Sequence, residues 1–245
     1  MNKKPTLTHF LIVLSIIIFL LEWYYQSIYG EKFLEDLFYD FGFSFQNLLI
    51  GKFWVFITSI FLHGGLEHLV LNMIALFFFG RVVETELGKG KFLLIFFASA
   101  FIGDLAVLLS IFLGFMSVST PTIGISAAIF GLMGTAMLVK PFKFVIYPFL
   151  IPVPIILVAL VYTLYNIAAF LLITTTETAS NVSYISHIGG LASGIFFGFR
   201  EEGSKKSFIV LLILLVLLIG TPFVWIILQH LENFNYIALL TEMFR

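Results

Sequence analysis

The middle of the chain carries an apolar segment rich in small residues, GISAAIFGLMG at positions 124–134. At the helical period Ala127, Gly131 and Gly134 share one face, and small residues on one face let a second helix approach closely. Ser126 stands beside this face, at the start of the predicted helix. Its hydroxyl has two interpretations, a hydrogen bond within a helix bundle or a nucleophile, and the motif alone leaves both open.

A second segment, HIGGLASGIFFG at positions 187–198, has a matching face. His187, Gly190, Gly194 and Gly198 recur at helical spacing, so the imidazole points towards whichever helix packs on the glycines. The first segment, with its own small-residue face, is the natural partner. Docking the two would bring a hydroxyl and an imidazole within reach, the arrangement that a base-activated nucleophile requires. The alternative is a packing histidine bonded to a backbone carbonyl.

A third segment, HGGLEHLVLN at positions 63–72, supplies hydrogen-bond donors. His68 and Asn72 are four residues apart on one helical face, so both side chains can direct N–H groups to one point. In acyl transfer that point would be the oxyanion of the tetrahedral intermediate, where one donor is worth roughly 3 kcal/mol. The backbone N–H of Ser126, at a helix start, could complete the oxyanion hole. An interhelical clamp is the alternative for Asn72.

The composition places the chain in a bilayer. Of its 245 residues 60% are hydrophobic and 11% are charged, and the mean hydropathy is +1.10. A net charge of −1 without a basic stripe excludes a nucleic-acid partner, and the absence of cysteine excludes disulfides, thiolate metal sites and a cysteine nucleophile. Charges and turn residues mark off seven apolar segments, at about 8–28, 62–83, 92–114, 123–139, 148–173, 184–199 and 207–229. The first lacks a small-residue cleavage site and is predicted to be a retained helix.

The distribution of Lys and Arg predicts the orientation in the membrane. With the N-terminus in the cytoplasm, only Lys32, Lys52 and Arg245 lie outside, which agrees with the retention of cationic loops on the cytoplasmic side. We therefore expect a multi-pass protein of the cell membrane. The second, fourth and sixth spans then begin at the outer leaflet, so their polar residues lie at similar depth, which indicates a functional site. The aromatic-rich stretch 29–61 is predicted to lie at the membrane interface.

These motifs, with GRVVETELG at positions 80–88, resemble the rhomboid family of intramembrane serine proteases over about Trp54 to Phe199. The resemblance implies an all-α, polytopic membrane bundle, with a six-helix core at 1–206 and an additional seventh helix and short outside tail at 207–245. It implies a nucleophile, Ser126, and a general base, His187. It implies oxyanion donors at His68, Asn72 and the Ser126 N–H. It also implies supporting roles for His63, Gly124, Phe130 and Gly190, and a structural role for Glu84.

The resemblance also implies the reaction and its substrates. We expect a serine endopeptidase that cleaves transmembrane segments of membrane proteins near the outer face, without a cofactor or a metal. No carboxylate is evident as a third catalytic group, so a Ser–His dyad is predicted. The expected entry route lies beside the fifth span, where aromatic residues could form a gate, and the loop Thr174 to Ser186 would cap the site. These gate residues are Phe149, Tyr162, Tyr165 and Phe170.

Three positions depart from the family pattern. Ala127 follows the serine where the family commonly has Gly. Phe130 stands where Tyr often stacks on the histidine, and it can stack without hydrogen bonding. Trp54-Val55 replaces a common Trp-Arg pair, which weakens the expected anchoring of the first loop. None of the three removes a group that performs chemistry.

The sequence suggests three other functions. A zinc protease would need histidines four apart, whereas His63 and His68 are five apart, or about 140° around a helix. An ion transporter is suggested by Asp104 and Glu22, although a neutral acid bonded to a neighbouring helix is the simpler explanation. A catalytically inactive relative of the proteases would have lost the serine or the histidine, and both are present.

Asn181 begins a glycosylation sequon that matters only in a glycosylating host.

Overall fold

The computed structural model describes residues 6–145, 152–176 and 184–202, together with six separate positions between 208 and 227. Most of the predicted seventh span, its tail, the sequon at Asn181, Phe149 and most of the loop from Thr174 to Ser186 lie outside the described residues. The helices are α1 (Leu7–Tyr29), α2 (Glu31–Phe41), α3 (Phe45–Leu49), α4 (Val55–Phe61), α5 (Leu66–Ala75), α6 (Arg81–Leu87), α7 (Lys89–Phe112), α8 (Ser126–Val139), α9 (Ile155–Thr176) and α10 (Tyr184–Glu202).

Several of these helices have the length and composition of membrane spans. Among the described residues, three are long and apolar enough to cross a membrane: α1, α7 and the continuous helical run Leu66–Leu87, in which a π-helical turn at Leu76–Gly80 joins α5 to α6. The helix α8 and the first part of α9, Ile155–Ala168, are apolar but shorter. About 20 apolar residues cross a hydrocarbon core, so the chain has the helices of a multi-pass integral membrane protein.

The shorter helix α8 forms the centre of the bundle. All 14 of its residues are buried, and α7 and α10 pack along it. The close approach of α10 depends on glycine, because a Cβ added to Gly190 would lie 2.1 Å from the Ala127 carbonyl oxygen. A buried hydrogen bond joins α7 to α10 through the hydroxyl groups of Ser99 and Ser193, at 3.1 Å. Membrane helices gain no hydrophobic free energy by leaving lipid to pack on one another. Close packing of small residues is therefore one of the interactions that hold them together.

Glu84 fixes the start of α1 against α6. Its carboxylate accepts hydrogen bonds from the backbone N–H groups of Thr6, Leu7 and Thr8, at 2.8 to 2.9 Å, and from the Thr8 hydroxyl at 2.8 Å. The first N–H groups of a helix have no partner within the helix, and the positive end of its dipole favours an anion. Glu84 supplies both the acceptors and the charge.

The stretch between α1 and α5 is helical in three short pieces, α2 to α4, and is tied to the chain just before α8. Phe43 is fully buried and forms an antiparallel backbone bridge with Thr122. The Asn47 amide donates to the carbonyl groups of Tyr39 and Gly42 at 2.7 and 3.0 Å. This stretch is therefore anchored without the basic residue that Val55 replaces.

The all-α prediction was incomplete at one place. Between α8 and α9 the chain forms a small antiparallel hairpin, β1 (Phe144–Val145) with β2 (Val153–Pro154). Lys140 and Lys143 pair with Glu86 at 3.5 and 3.3 Å on the same side of the bundle. The sequence placed the start of the fifth span at about 148, whereas α9 begins at Ile155, because Val153 and Pro154 belong to the hairpin.

Candidate active site

Ser126 and His187 meet at the ends of two helices. Ser126 is the first residue of α8 and His187 lies in the first turn of α10. The Ser126 hydroxyl oxygen lies 2.6 Å from His187 Nε2, and both side chains are only 7% exposed. The glycine face of α10 sets this distance, since the contact at Gly190 is three residues, or about one turn, beyond His187.

The other ring nitrogen of His187 contacts a residue that the sequence did not single out. Nδ1 lies 2.5 Å from Oδ1 of Asn166, which stands on α9 and is 3% exposed. The sequence predicted a dyad, and the structure adds this third polar side chain. The available signal was weak: Asn166 is an amide within an apolar span, and no spacing connects it to His187.

Aromatic rings hold the imidazole on two sides. Phe130 stacks on it, with ring centroids 4.5 Å apart and an interplanar angle of 11°. Tyr184 meets it edge to face, at 5.8 Å and 78°. Stacking of this kind restricts the rotation of the imidazole. The phenyl ring of Phe130 therefore provides orientation without a hydrogen bond.

His68 and Asn72, both on α5, present polar side chains to the cavity at Ser126. Among the described residues, neither His68 Nε2 nor Asn72 Nδ2 has a hydrogen-bond partner, although both atoms are buried. Buried donors without partners are rare in native proteins and call for an explanation. Both side chains line the same cavity as Ser126 and His187. They are placed to donate to an oxygen that a bound substrate would bring.

Gly124 gives His68 room beside Ser126. Its φ of 116° favours glycine, and a Cβ there would lie 2.9 Å from His68 Cε1 and 3.7 Å from the Ser126 hydroxyl oxygen. The Gly124 N–H donates to the Ser59 carbonyl oxygen at 2.8 Å, which links this turn to α4. Conformation and space thus both call for glycine at this position.

His63 stands behind His68, outside the cavity that contains Ser126. Its Nδ1 donates to the Phe61 carbonyl oxygen at 3.0 Å, and its ring meets the His68 ring edge to face at 5.4 Å. Its backbone N–H donates to Glu22 at 3.4 Å. The ring of His63 can therefore support that of His68, while its own position is fixed by the turn that precedes α5.

The cavity at Ser126 has a volume of about 460 Å³ and is lined by residues from α5, α8, α9 and α10. Tyr162 and Tyr165 of the expected gate line it, and Tyr165 is 68% exposed on the outer surface of α9. Phe149 and the side chain of Phe170, the other two expected gate residues, fall outside what the structure describes. A cavity of this size can hold several residues of an extended peptide.

Asp104 lies apart from this cavity. It is buried on α7, and its Oδ2 has no hydrogen-bond partner within the described parts of the chain. Nor do the described residues bring three or more His, Asp or Glu side chains together as metal ligands. The polar groups that line the cavity at Ser126 include a hydroxyl, imidazoles and amides.

Comparison with known proteins identifies related chains. The family model described as "Rhomboid domain" matches residues 50–202. The chain is 30% identical over 225 residues to rhomboid protease GluP of Bacillus subtilis, an alignment that covers 89% of this chain and 40% of that protein. It is 28% identical over 179 residues to the mitochondrial RHOMBOID-like protein 12 of Arabidopsis thaliana, covering 67% and 50%. The inactive RHOMBOID-like protein 8 of the same plant is 34% identical over 86 residues, covering 35% and 23%.

The chain thus spans half or less of the length of these three relatives. One of them is a protease by name and one is inactive by name. The similarity covers the part of the chain that contains the site, from α4 to α10.

Proposed function

Since the chain belongs to the rhomboid family, we propose that it is an intramembrane serine endopeptidase that cleaves transmembrane segments of other membrane proteins. The observation that carries this proposal is the 2.6 Å approach of the Ser126 hydroxyl to His187 Nε2 inside a helix bundle. A buried hydroxyl next to an imidazole, with unpaired donors across the cavity, is the arrangement that acyl transfer uses.

In the proposed mechanism the Ser126 hydroxyl oxygen attacks the carbonyl carbon of the scissile peptide bond while His187 takes the hydroxyl proton. The carbonyl oxygen becomes an oxyanion, which His68, Asn72 and the Ser126 backbone N–H stabilise. His187 then passes the proton to the leaving nitrogen, and an acyl-enzyme remains. A water molecule, deprotonated by His187, attacks the ester, and His187 returns this proton to the Ser126 oxygen as the ester bond breaks and the second product leaves.

The substrate is proposed to be a membrane helix that unwinds locally before it is cut. A helical peptide bond has its carbonyl engaged and its faces shielded, so a helix must open to present the bond to Ser126. The exposed side of the cavity at Tyr165 favours entry beside α9. Helix-breaking residues near the cleaved bond should therefore promote cleavage.

The orientation and the C-terminal segment are also part of the proposal. Cationic residues at the Val139 end of α8 and the α6–α7 turn favour the cytoplasm for that side, so Ser126 is proposed to lie towards the outer face. Residues 207–245 are proposed to add one membrane helix and a short tail to the core.

The test is labelling of the purified protein by a fluorophosphonate, combined with cleavage of a model transmembrane substrate in proteoliposomes. Wild-type protein should react with the probe at one serine and cut the substrate, whereas Ser126→Ala and His187→Ala should do neither while remaining monodisperse in detergent. A folded wild-type protein that neither reacts nor cuts would instead indicate an inactive family member that binds membrane clients.

A further inference from the structure

The orientation of the Asn166 amide can be read from its two contacts. Its Nδ2 faces the carbonyl oxygen of Tyr184 at 3.4 Å, and its Oδ1 faces His187 Nδ1 at 2.5 Å. A carbonyl oxygen can only accept a hydrogen bond, so the NH₂ group must be on the Tyr184 side. The amide oxygen therefore faces the imidazole.

This orientation determines which nitrogen of His187 carries the proton. An amide oxygen has no proton to give, so a hydrogen bond to it requires Nδ1 to be protonated. In a neutral imidazole Nε2 is then unprotonated, and it is Nε2 that faces the Ser126 hydroxyl. The neighbouring amide thus selects the one neutral tautomer that can accept the serine proton.

Resting on the proposed protease function, we propose that Asn166 is a positioning residue that completes a Ser126–His187–Asn166 triad. It acts in two ways. The amide holds the His187 ring in the tautomer and rotation that the reaction needs. The hydrogen bond from Nδ1–H to the amide oxygen also becomes stronger when the ring becomes an imidazolium. The amide takes up no proton itself, so His187 remains the only proton carrier.

The contacts of Asn166 also fit a simpler role, that of a structural clamp between two helices, which the experiment must distinguish from positioning. Asn166 joins α9 to the start of α10 through the Tyr184 carbonyl, and a purely structural clamp would need only that contact. A clamp affects folding and helix spacing. A positioning residue affects turnover and its dependence on pH.

The experiment compares four variants in proteoliposomes: Asn166→Leu, Asn166→Asp, Thr163→Val and Ser126→Ala. Leucine has a similar volume and no acceptor for Nδ1. Aspartate keeps an acceptor but adds a charge. Thr163 is the matched control because it is also buried, stands about one turn earlier on α9 and, among the described residues, donates to the Ala159 carbonyl of its own helix. The readouts are kcat, KM, the pH profile of kcat/KM and the apparent melting temperature.

We expect Asn166→Leu to lower kcat on the order of 10- to 100-fold with KM little changed, because a badly oriented base loses part of its catalytic effect. Asn166→Asp should retain more activity than Asn166→Leu, with the acid limb of its profile moved to higher pH. The ionised carboxylate of that variant stabilises the protonated form of the imidazole. A higher pH is therefore needed before the imidazole becomes the neutral base. Thr163→Val should resemble the wild type in kcat and profile.

The proposal is overturned if folded Asn166→Leu keeps kcat within about twofold of wild type, a difference too small for an orienting group. It is equally overturned if both Asn166 variants lose activity only in step with melting temperature while the acid limb stays in place, since that is the result for a clamp. Should Asn166→Leu fail to fold, the acid limb of Asn166→Asp decides alone. Cleavage by Ser126→Ala would instead overturn the proposed function itself.

Discussion

Gly194 of α10 lies directly against the backbone of Gly131 on α8: a Cβ built on Gly194 would come within 1.9 Å of the Gly131 carbonyl oxygen. The single proton of the Thr135 hydroxyl is shared between this carbonyl oxygen and that of Gly194, each 3.0 Å from the hydroxyl oxygen. The two helices are therefore as close as backbones allow. Because Ser126 and His187 stand on these helices, their distance depends on this packing.

Gly194→Ala should consequently destabilise the bundle by about 3 kcal/mol or more, since the methyl group meets rigid backbone instead of a flexible side chain. The measurement is the apparent melting temperature in detergent, together with the rate of fluorophosphonate labelling. Gly90→Ala on α7 is the matched control, because a Cβ there meets nothing within 4 Å. That substitution should be neutral or slightly stabilising, and equal effects of the two would contradict the close packing.

A second prediction separates two acidic residues that lie two positions apart. Glu84→Ala should cost about 3 kcal/mol, because it removes the acceptor of four hydrogen bonds at the start of α1. Glu86→Ala should cost less than about 1 kcal/mol, because its pairs with Lys140 and Lys143 are partly exposed. Melting temperatures of the wild type and both variants at low and high salt measure the two losses of stability. Only the loss in Glu86→Ala should depend on salt.

A third prediction concerns the oxyanion donors. His68→Ala and Asn72→Ala should each lower kcat on the order of 100-fold with KM nearly unchanged, because the lost hydrogen bonds form only as charge develops on the carbonyl oxygen. Labelling by the fluorophosphonate should slow in parallel. If the double variant turned over at the wild-type rate, these side chains would be interhelical clamps and the backbone N–H of Ser126 would act without them.

A fourth prediction uses two glycines that share a backbone conformation. Gly124 and Gly114 both have positive φ, at 116° and 80°, so alanine strains the backbone at either position. Only at Gly124 would the new Cβ also press on His68, at 2.9 Å, whereas nothing lies within 4 Å at Gly114. Gly124→Ala should therefore lose most activity.

Gly114→Ala should lose only about 1 kcal/mol of stability and keep the wild-type kcat. Melting temperature and turnover of both variants, measured side by side, distinguish displacement of His68 from backbone strain. A loss of activity in Gly114→Ala as large as that in Gly124→Ala would attribute both effects to strain.

The approach of Ser126 to His187 followed from the sequence because matching small-residue faces allow few ways for two membrane helices to dock. The contact of Asn166 with His187 did not follow. An amide on a long apolar helix can point in any direction, and only the rotation of α9 in the bundle selects one. The same holds for the hairpin at Phe144 and Val153, whose apolar residues look like the start of a span.

The shortness of α8 has a consequence for where chemistry can occur. Its 14 residues rise about 21 Å, against a hydrocarbon thickness of about 30 Å. If the exposed Lys140, next to the last residue Val139, marks one boundary of the bilayer, Ser126 stops roughly 9 Å short of the other. On the proposed mechanism, the missing turns leave space above Ser126 that solvent can fill. A chain drawn into it must descend about three extended residues before its peptide bond reaches the serine.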